Sequence, residues 1–584
     1  MSKLALAASR FGCYFPVINW VRHYDRAWLR DDLVSGVVVG LVMIPVAMAY
    51  AQMAGVPAQA GLYSAVVGMT AYALFATSRH LKITASSTMA IMSLAVVAPL
   101  AEGNAANFMA LSSALALTVG IVMLVLGVLK LGFISDFLTK SVMTGYIFGV
   151  ACLIAVSQLP KVFGVPGSNG TFFQQLFHFL SELPQTNFYS LALGVGAIVM
   201  ILEIHRRKPL IPGALLALVL GIVISAIFQL SENHGVSVVG QIPTGMTSPA
   251  IPWISLSELP FIIGGATGIV FLAVGETLGT GRAYAAKYQY EIDADQELLA
   301  LGAANVSSGL FQGITIDMSL SSTASGEAAG EHTQLSTLVS AGVILAVVVF
   351  LAPLLRNLPT TVLGAIVLSS ILGLFNFKEF KRYYQQRKAD FALALAALIG
   401  VVSSSVMIGL AIAVMLSLIM LLYRASRPYI ATLGREPETV GGYGDLLRHP
   451  RAHPIPGLVL LRLDAPLYFF NANVARTQIL AHAAEEPPPQ AILLDLAATA
   501  DLDIGTSDML RALDADLRQI NIDLLFAQVR GSVRQRMQIT GLLDDISEAD
   551  IFSSVDDAVQ AFLKRQASAP PPATEDEIAP VTQP

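Results

Sequence analysis

The sequence predicts an α-helical membrane protein of fourteen spanning segments, arranged as two inverted repeats of seven, followed by a small α/β domain. Three observations support this fold class. Hydrophobic residues make up 54% of the chain and charged residues only 13%, whereas soluble proteins carry about 25% charged residues. Apolar stretches follow one another with short connections between about residues 32 and 424. The tripeptide Ser-Ser-Thr recurs in corresponding parts of the two halves.

Residues 1–31 form a basic N-terminal segment that precedes the first apolar stretch. Its positive charges include Arg10, Arg22, Arg26 and Arg30, together with His23. Because Lys and Arg are enriched on the cytoplasmic side of membrane proteins, this segment is predicted to be cytoplasmic.

A transmembrane domain is predicted over residues 32–427, with its two repeats at about 32–230 and 259–424. Several segments approach the roughly 20 residues that a spanning helix needs, whereas the third and tenth are interrupted or short. An odd number of segments per half inverts the second repeat relative to the first, as in many secondary transporters. The segments are predicted at 32–53, 58–76, 84–101, 107–130, 133–158, 188–204, 210–230, 259–281, 293–312, 319–330, 334–355, 359–376, 389–406 and 407–424.

Clusters of Lys and Arg between the segments fall on one side of this topology, at 79–82, 206–208, 282–287 and 378–388. The presumed outside loops, such as 231–258, contain almost none. The positive-inside rule therefore predicts that both termini are cytoplasmic in an inner or plasma membrane. Residues 375–388 are predicted to form an amphipathic segment at the cytoplasmic surface of the bilayer.

The composition changes after the last apolar segment. Residues 428–454, rich in Gly, Pro and Arg, are predicted to be a linker. Over 455–566, apolar strands alternate with helices, which predicts a small sheet with helices packed on it. The Pro-rich, acidic tail at 567–584 is predicted to be disordered.

The two Ser-Ser-Thr tripeptides lie in 84–90 (TASSTMA) and 317–325 (DMSLSSTAS). Interrupted hydrophobic segments in corresponding positions of two halves indicate the binding site of a secondary transporter. We predict that they begin two half-helices facing each other near the middle of the membrane. Their unpaired backbone N–H groups and positive dipole ends would attract an anion.

Two acidic residues stand in or beside these apolar segments. Glu276 lies in a segment otherwise without charge, and an ionisable group within a membrane is functional by default. Because burial favours the neutral form of a carboxyl, Glu276 is predicted to gain and lose a coupling proton; alternatively, it only hydrogen-bonds the unwound backbone of the tenth helix. Asp317 is predicted to cap the tenth half-helix, with cation ligation as the alternative.

Several motifs are similar to those of the sulfate permease (SulP) family of anion transporters, over about residues 28–427. Residues 455–566 resemble the cytoplasmic STAS domain that this family usually carries. The motifs are RDDL at 30–33, IP at 44–45, AMAYA at 47–51, GLY at 61–63, SRHL at 78–81, GE at 275–276, QEL at 296–298, Gly302, Asn305 and GLF at 309–311.

The resemblance implies seven-plus-seven inverted repeats divided into a core and a gate domain, usually in a homodimer. It implies transport of sulfate, bicarbonate, chloride, oxalate or C4-dicarboxylates, and a carboxylate at Glu276 that couples transport to protons or sodium. The substrate-binding residues that the resemblance implies, from the first, third and tenth helices, are Val46, Tyr50, Ser86, Ser87, Ser319, Leu320 and Ser321.

Two positions depart from the family pattern within the predicted anion site. Many members have Gly-Pro where this chain has Thr84-Ala85, and many have Arg where it has Ser322. Anion binding would then depend on dipoles, N–H groups and hydroxyls alone, or need a proton or cation partner.

The STAS-like domain has a third departure, because Gly505 occupies the usual phosphorylation position. Thr506 could replace it only with a shift of register, so a regulatory role for Asp503 and Thr506 is an alternative to Thr506 as a helix N-cap. A cytoplasmic partner for this domain is a further expectation.

The sequence thus favours a proton symporter for a small inorganic anion, with sulfate the first candidate. The alternatives are sodium-coupled bicarbonate uptake, C4-dicarboxylate uptake, an uncoupled anion exchanger or channel, and a membrane scaffold without transport. No nucleotide-binding loop, metal cluster or catalytic triad is recognisable in the sequence, so an enzyme, a cofactor and a bound metal are not predicted. The net charge of −6 does not indicate a nucleic-acid partner.

Overall fold

The structure, a computed structural model, describes residues 15–101, 104–133, 139–168, 170–207, 212–404, 406–437 and 441–568. The chain separates into two compact units, Met1–Leu418 and Ile419–Pro584. Residues 1–14 of the predicted N-terminal segment and 569–584 of the predicted tail lie outside the described residues.

The first unit is helical. Its α-helices, together with the helix that runs on into the second unit, are α1 (Pro16–Arg22), α2 (Leu29–Met53), α3 (Ala58–Phe75), α4 (Ser87–Val97), α5 (Ala105–Val128), α6 (Lys140–Phe163), α7 (Phe172–Glu182), α8 (Phe188–Arg207), α9 (Gly213–Ile227), α10 (Leu230–His234), α11 (Leu259–Tyr288), α12 (Ala294–Leu310), α13 (Leu320–Ala328), α14 (Leu335–Ala346), α15 (Thr360–Ile371), α16 (Phe377–Gln386), α17 (Lys388–Ser403) and α18 (Val406–Ala425).

Each of the fourteen predicted segments contains a helix, in the predicted order. By length and apolar composition alone, seven helices within the described ranges are able to cross a membrane. The third and tenth segments are the short ones, with 11 residues in α4 and nine in α13. The short helices α7 and α10 were not predicted, whereas α16 lies inside the predicted amphipathic segment 375–388.

The first unit contains two groups of packed helices. One comprises α2, α3, α5, α11, α12 and α14, and the other comprises α6, α8, α9, α15 and α17. Small residues allow close helix contacts, as membrane helices require. At Gly309 in α12, a Cβ atom would lie 2.6 Å from the backbone nitrogen of Leu117 in α5, so a larger residue would push these two helices apart.

The second unit contains a six-stranded mixed sheet. Its elements are β3 (Ile430–Arg435), β4 (Tyr443–Asp445), β5 (Leu458–Leu463), α19 (Phe469–Ala483), β6 (Ala491–Asp495), α20 (Ile504–Gln519), β7 (Asp523–Ala527), α21 (Gly531–Ile539), α22 (Leu542–Asp545), β8 (Ile551–Phe552) and α23 (Val555–Ser568), while β1 (Ile83–Thr84) and β2 (Asp317–Met318) belong to the first unit. The strand order is β4-β3-β5-β6-β7-β8, parallel from β5 to β8.

Alternating side chains of the central strands fill two hydrophobic cores, one on each face of the sheet. In β5, Leu461 and Leu463 join the core that contains residues of α19, α20 and α21. Leu458 and Leu460 point to the opposite core, which α23 covers. Because successive side chains of a strand point to opposite faces, both faces of the sheet present apolar residues. Helices cover both faces, as predicted for an α/β domain.

The predicted linker at 428–454 is only partly a linker. Strand β3 lies within it and pairs antiparallel with β5, and β4 extends the sheet beyond β3. The sequence signal was weak because β3 contains Gly434, which is unfavourable in a strand, and because β4 has only three residues.

Candidate functional site

An antiparallel pair of two-residue strands, one from each half of the transmembrane domain, joins the starts of the two short helices. Strand β1 precedes α4, strand β2 precedes α13, and the two pair antiparallel with Thr84 opposite Asp317. The backbone N–H of Ser319 also donates to the carbonyl of Lys82 at 2.9 Å. The two repeated tripeptides are thus in contact through this strand pair, and both short helices begin within three residues of it.

A serine caps each short helix. The hydroxyl of Ser86 accepts a hydrogen bond from Met89 N at 3.2 Å at the start of α4, and that of Ser319 accepts one from Ser322 N at 3.4 Å at the start of α13. Each cap satisfies one of the four N–H groups that a helix start leaves without an intrahelical partner. The remaining N–H groups and the dipole give each start a partial positive charge.

Both helix starts open on one cavity of about 830 Å³. Six of the seven predicted binding residues line it, and Glu276 lines it as well. Val46 and Asp317 do not: Val46 is buried in α2, and Asp317 is wholly buried behind Met318. The lining residues are Tyr50, Ser86, Ser87, Thr88, Lys140, Met143, Ile147, Gly275, Glu276, Gly279, Thr280, Arg282, Met318, Ser319, Leu320, Ser321, Ala324, Ser370, Gly373 and Leu374.

Hydroxyl groups from several helices surround the helix starts. The phenol of Tyr50, on α2, lies against the hydroxyls of Ser87 on α4 and Ser370 on α15. Leu320 is 58% exposed on the first turn of α13 and gives the cavity an apolar surface. The cavity wall therefore offers hydrogen-bond donors of two kinds, backbone N–H and hydroxyl, to one bound molecule.

The prediction that Asp317 caps α13 is wrong. Ser319 is the cap, and no backbone N–H of the described residues donates to the carboxylate of Asp317. Asp317 lies two positions too early, in the strand that pairs with Thr84. Its nearest polar neighbours are the hydroxyl of Ser86 and the carboxyl of Glu276.

One further polar atom beside Asp317 has no partner in the described part of the chain. It is the hydroxyl of Thr84, which lies opposite Asp317 in the strand pair. A buried polar group without a partner loses its hydration without compensation. The oxygens of Asp317 and Thr84 are of the kind that hard cations such as Na⁺ prefer.

Positive side chains also reach the cavity, and sequence reasoning did not assign them to the site. Lys140 opens α6 and Arg282 lies in the last two turns of α11. The cavity wall thus carries two formally positive side chains in addition to the dipoles, N–H groups and hydroxyls that the sequence indicated. From the sequence, Arg282 indicated only the orientation of the chain in the membrane. Its position on the cavity wall could not be predicted, because it depends on tertiary packing.

In the second unit, Asp503 rather than Thr506 caps α20. The carboxylate of Asp503 accepts hydrogen bonds from Thr506 N and from Phe469 N, both at 2.7 Å. Thr506 is wholly buried, and its hydroxyl meets no partner among residues 441–568. A kinase could not reach Thr506 in this conformation, so its assignment as a phosphorylation site loses support.

Comparison with known proteins identifies the family. A model of the sulfate permease family matches residues 29–397, and a STAS domain model matches residues 449–558. The chain belongs to the sulfate permease family. It is 34% identical to a probable sulfate transporter of Mycobacterium tuberculosis (strain H37Rv) over 94% of this chain and 98% of the relative. It is 28% identical to probable sulfate transporter 3.4 of Arabidopsis thaliana, over 93% and 87% respectively.

Solved structures share the fold of this sulfate permease family member. The SLC26A9 structure is similar with a TM-score of 0.89, at 22% identity over 97% of this chain and 95% of that chain. The transmembrane domain of the cyanobacterial bicarbonate transporter BicA is similar with a TM-score of 0.61, at 25% identity over 66% and 97%. The family and these relatives are transporters, and the chain is not an enzyme.

Proposed function

We propose that this protein is a secondary active transporter that carries a small inorganic anion, sulfate first, together with protons. The observation that carries the proposal is the meeting of two helix N-termini on one cavity at the β1–β2 pair. Helix N-termini bind anions through their N–H groups and dipole. The names of the mycobacterial and plant relatives support sulfate as the first substrate.

The anion is proposed to bind between the first turns of α4 and α13. There the N–H groups, the hydroxyls of Ser87 and Ser321, and the phenol of Tyr50 surround it. Lys140 and Arg282 add formal positive charges to the same cavity, whereas the half-helix dipoles provide only partial charges. Charges of one sign in a cleft raise the local concentration of the opposite ion.

Glu276 is proposed to carry the coupling proton. Its carboxyl lines the cavity and lies beside Asp317, so an ionised Glu276 would repel both the bound anion and Asp317. Protonation removes that repulsion, and the anion and proton therefore stabilise each other's binding. Such mutual stabilisation is what symport requires thermodynamically.

Uptake into proteoliposomes tests this proposal. Radiolabelled sulfate, bicarbonate and succinate are offered under separate H⁺ and Na⁺ gradients, each with the membrane potential clamped. We expect sulfate to accumulate when the outside is acidic, without Na⁺. Accumulation of succinate alone would indicate a dicarboxylate carrier, and anion flux that follows only the anion gradient would indicate an uncoupled exchanger or channel.

Sodium-coupled bicarbonate uptake is a second candidate, favoured by the paired oxygens of Asp317 and Thr84. No backbone N–H of the described residues donates to Asp317, and the Thr84 hydroxyl has no partner there, whereas oxygen ligands suit hard cations. The name of the similar BicA transporter supports bicarbonate for this alternative. Under it, Thr84→Val would abolish stimulation by Na⁺; under proton symport, the same variant would leave proton-driven uptake in place.

Cytoplasmic termini, a homodimer and a cytoplasmic partner of the STAS domain remain predictions. Single cysteines placed at Arg206 and in the 231–258 loop test the orientation in sealed, right-side-out vesicles. The charge distribution predicts that a membrane-impermeant maleimide labels the loop but not position 206.

A further inference from the structure

Lys82 is a wholly buried lysine in the loop that leads to α4, just before β1. Its ammonium group forms an ion pair with Glu331 at 2.6 Å and donates to the hydroxyls of Ser336 at 2.7 Å and Thr337 at 2.8 Å. The Glu331 side chain is wholly buried as well. Since an ammonium has three protons, these three partners satisfy Lys82 completely.

The partners of Lys82 lie just after α13. Glu331 follows α13 by three residues, and its backbone N–H donates to the carbonyl of Gly326 at 3.1 Å. Its carboxylate packs directly on Gly326, where any Cβ would collide with it. Ser336 and Thr337 open α14. The Lys82 side chain therefore holds the C-terminal end of α13 against α14.

The backbone of Lys82 holds the other end of the same helix. Its carbonyl accepts from Ser319 N at 2.9 Å, and its N–H donates to the hydroxyl of Thr323 at 3.1 Å. Lys82 thus contacts the cap, the first turn and the end of α13. It also lies four positions before Ser86, the cap of α4.

A helix of nine residues is too short to be stable by itself and takes its position from its contacts. We propose that the Lys82–Glu331 pair is a positioning pair that sets the spacing between the N-termini of α4 and α13, and thereby the affinity and size selectivity for the anion. This inference rests on the proposed function. Neither Lys82 nor Glu331 lines the cavity.

Single substitutions are a poor test, because removing one partner leaves a buried charge unpaired. Replacing both partners of a buried ion pair with apolar residues is often neutral for stability. The double variant Lys82→Met/Glu331→Leu therefore removes the contact that positions α13 without a large expected change in the stability of the protein. Its control is Arg207→Met/Glu203→Leu, which removes an exposed ion pair on α8.

The measurements are KM and Vmax for sulfate uptake in proteoliposomes, inhibition by the larger oxyanion molybdate, and the melting temperature in detergent. We expect the double variant to keep its melting temperature and Vmax, while KM rises about tenfold, as when a partner that orients a binding group is lost. Molybdate should inhibit uptake more strongly relative to the affinity for sulfate, because the ion pair no longer fixes the spacing between the N-termini of α4 and α13. The control should match the wild type.

A wild-type KM and wild-type molybdate inhibition in a double variant of unchanged melting temperature would overturn the inference alone. If the double variant does not fold, Lys82→Arg provides the same test, because it keeps the charge but moves the donors. A wild-type KM in folded Lys82→Arg would then overturn the inference. Failure of the wild-type protein to take up any of the three anions would instead overturn the proposed function, and this inference with it.

Discussion

The starts of α4 and α13 are alike in geometry and different in chemistry. Each follows a two-residue strand, each is capped by a serine, and each faces the same cavity. But α4 continues as an apolar helix (STMAIMSLAVV), whereas α13 is polar and small (LSSTASGEA). At the paired strand position, the first start carries Thr84 and the second carries Asp317.

This difference indicates what a repeat can and cannot supply. Two copies of one backbone arrangement give two positive helix ends, which suit an anion. Of the two helix starts, only the second has buried carboxyl groups beside it: Asp317 before α13 and Glu276 in α11, which lie next to each other. The proposed division is that both halves bind the anion, while the second half alone binds the coupling ion.

The largest expected effect comes from removing the ionisable group at the cavity wall. Glu276→Gln keeps the shape of the side chain but cannot exchange a proton, so sulfate uptake driven by a pH gradient should fall at least about tenfold, equivalent to about 1.4 kcal/mol. Sulfate exchange across equal pH should persist. Both rates are measured in proteoliposomes with radiolabelled sulfate.

Glu258→Gln is the matched control for this variant, because it removes a partly exposed carboxylate at the start of the same helix, which accepts a hydrogen bond from Ser255 N at 2.8 Å. This control should retain proton-driven uptake. Undiminished accumulation by Glu276→Gln would refute the coupling role of that residue.

Asp317→Asn should stabilise the protein and weaken its coupling at the same time. The carboxylate of Asp317 is buried, has no backbone N–H donor among the described residues and lies beside the carboxyl of Glu276, so its ionised form costs about 1–3 kcal/mol or more. The neutral amide removes this buried charge and its repulsion by Glu276, so the melting temperature in detergent should rise while ion-driven uptake falls. Sites that sacrifice stability in this way are typical of function.

Asp32→Asn provides the opposite case for comparison. Asp32 is buried too, but its carboxylate accepts from His332 N at 2.8 Å, Thr333 N at 3.1 Å and the Thr333 hydroxyl at 2.6 Å. Its replacement should lower the melting temperature. If both variants were destabilised alike, Asp317 would be an ordinary structural carboxylate and the contrast between the two helix starts would lose its functional meaning.

The charge of Arg282 should contribute less to the affinity for sulfate than the N-termini of α4 and α13 do. Arg282→Gln removes an exposed charge from the cavity wall, which is expected to raise KM for sulfate about threefold, within the 1 kcal/mol typical of exposed charges. The increase should shrink at high ionic strength because salt screens exposed charges. Arg206→Gln, at the end of α8 and outside the cavity lining, is the control; equal effects of both variants would assign the change to overall charge.

Much of the fold was predictable because its signals are local. Apolar length marked the fourteen segments, and the repeated tripeptide marked the two helix starts that the β1–β2 pair brings together. The carried-over positions Tyr50, Ser86 and Ser321 all line the cavity. Their binding roles remain predictions.

What could not be predicted depends on contacts between distant parts of the chain. Proximity to a helix start suggested a cap at Asp317, but the cap was taken by Ser319 two residues later. The ion pair of Lys82 joins residues 249 positions apart, and no pattern in the sequence links them. The sheet strand β3 was hidden in a Gly- and Arg-rich stretch because its partner, β5, lies more than twenty residues further on.

The smallest expected effect concerns a carboxylate that does cap a helix. Partial burial tends to raise the pKa of Asp503, but hydrogen bonds from the backbone N–H groups of Thr506 and Phe469 outweigh it and lower the pKa below its ordinary value of 3.8. A carboxyl whose pKa is lowered in the folded state stabilises the fold at pH values above its ordinary pKa. This contribution disappears as the pH falls through the pKa of the folded state. At neutral pH, Asp503→Ala should therefore cost about 1 kcal/mol of local stability.

Hydrogen exchange of the α20 amides in the full-length protein measures this cost, because faster exchange reports local opening. Asp508→Ala is the matched control: it removes a carboxylate of the same helix that accepts from the Arg511 side chain at 3.0 Å in an exposed pair, so exchange should be nearly unchanged. Sulfate uptake and its pH dependence should stay at wild-type values in both variants. A carboxylate satisfied by backbone N–H groups then stabilises a helix, whereas the carboxylate of Asp317, which no backbone N–H of the described residues satisfies, is available to a coupling ion. A loss of proton coupling in Asp503→Ala would contradict that distinction.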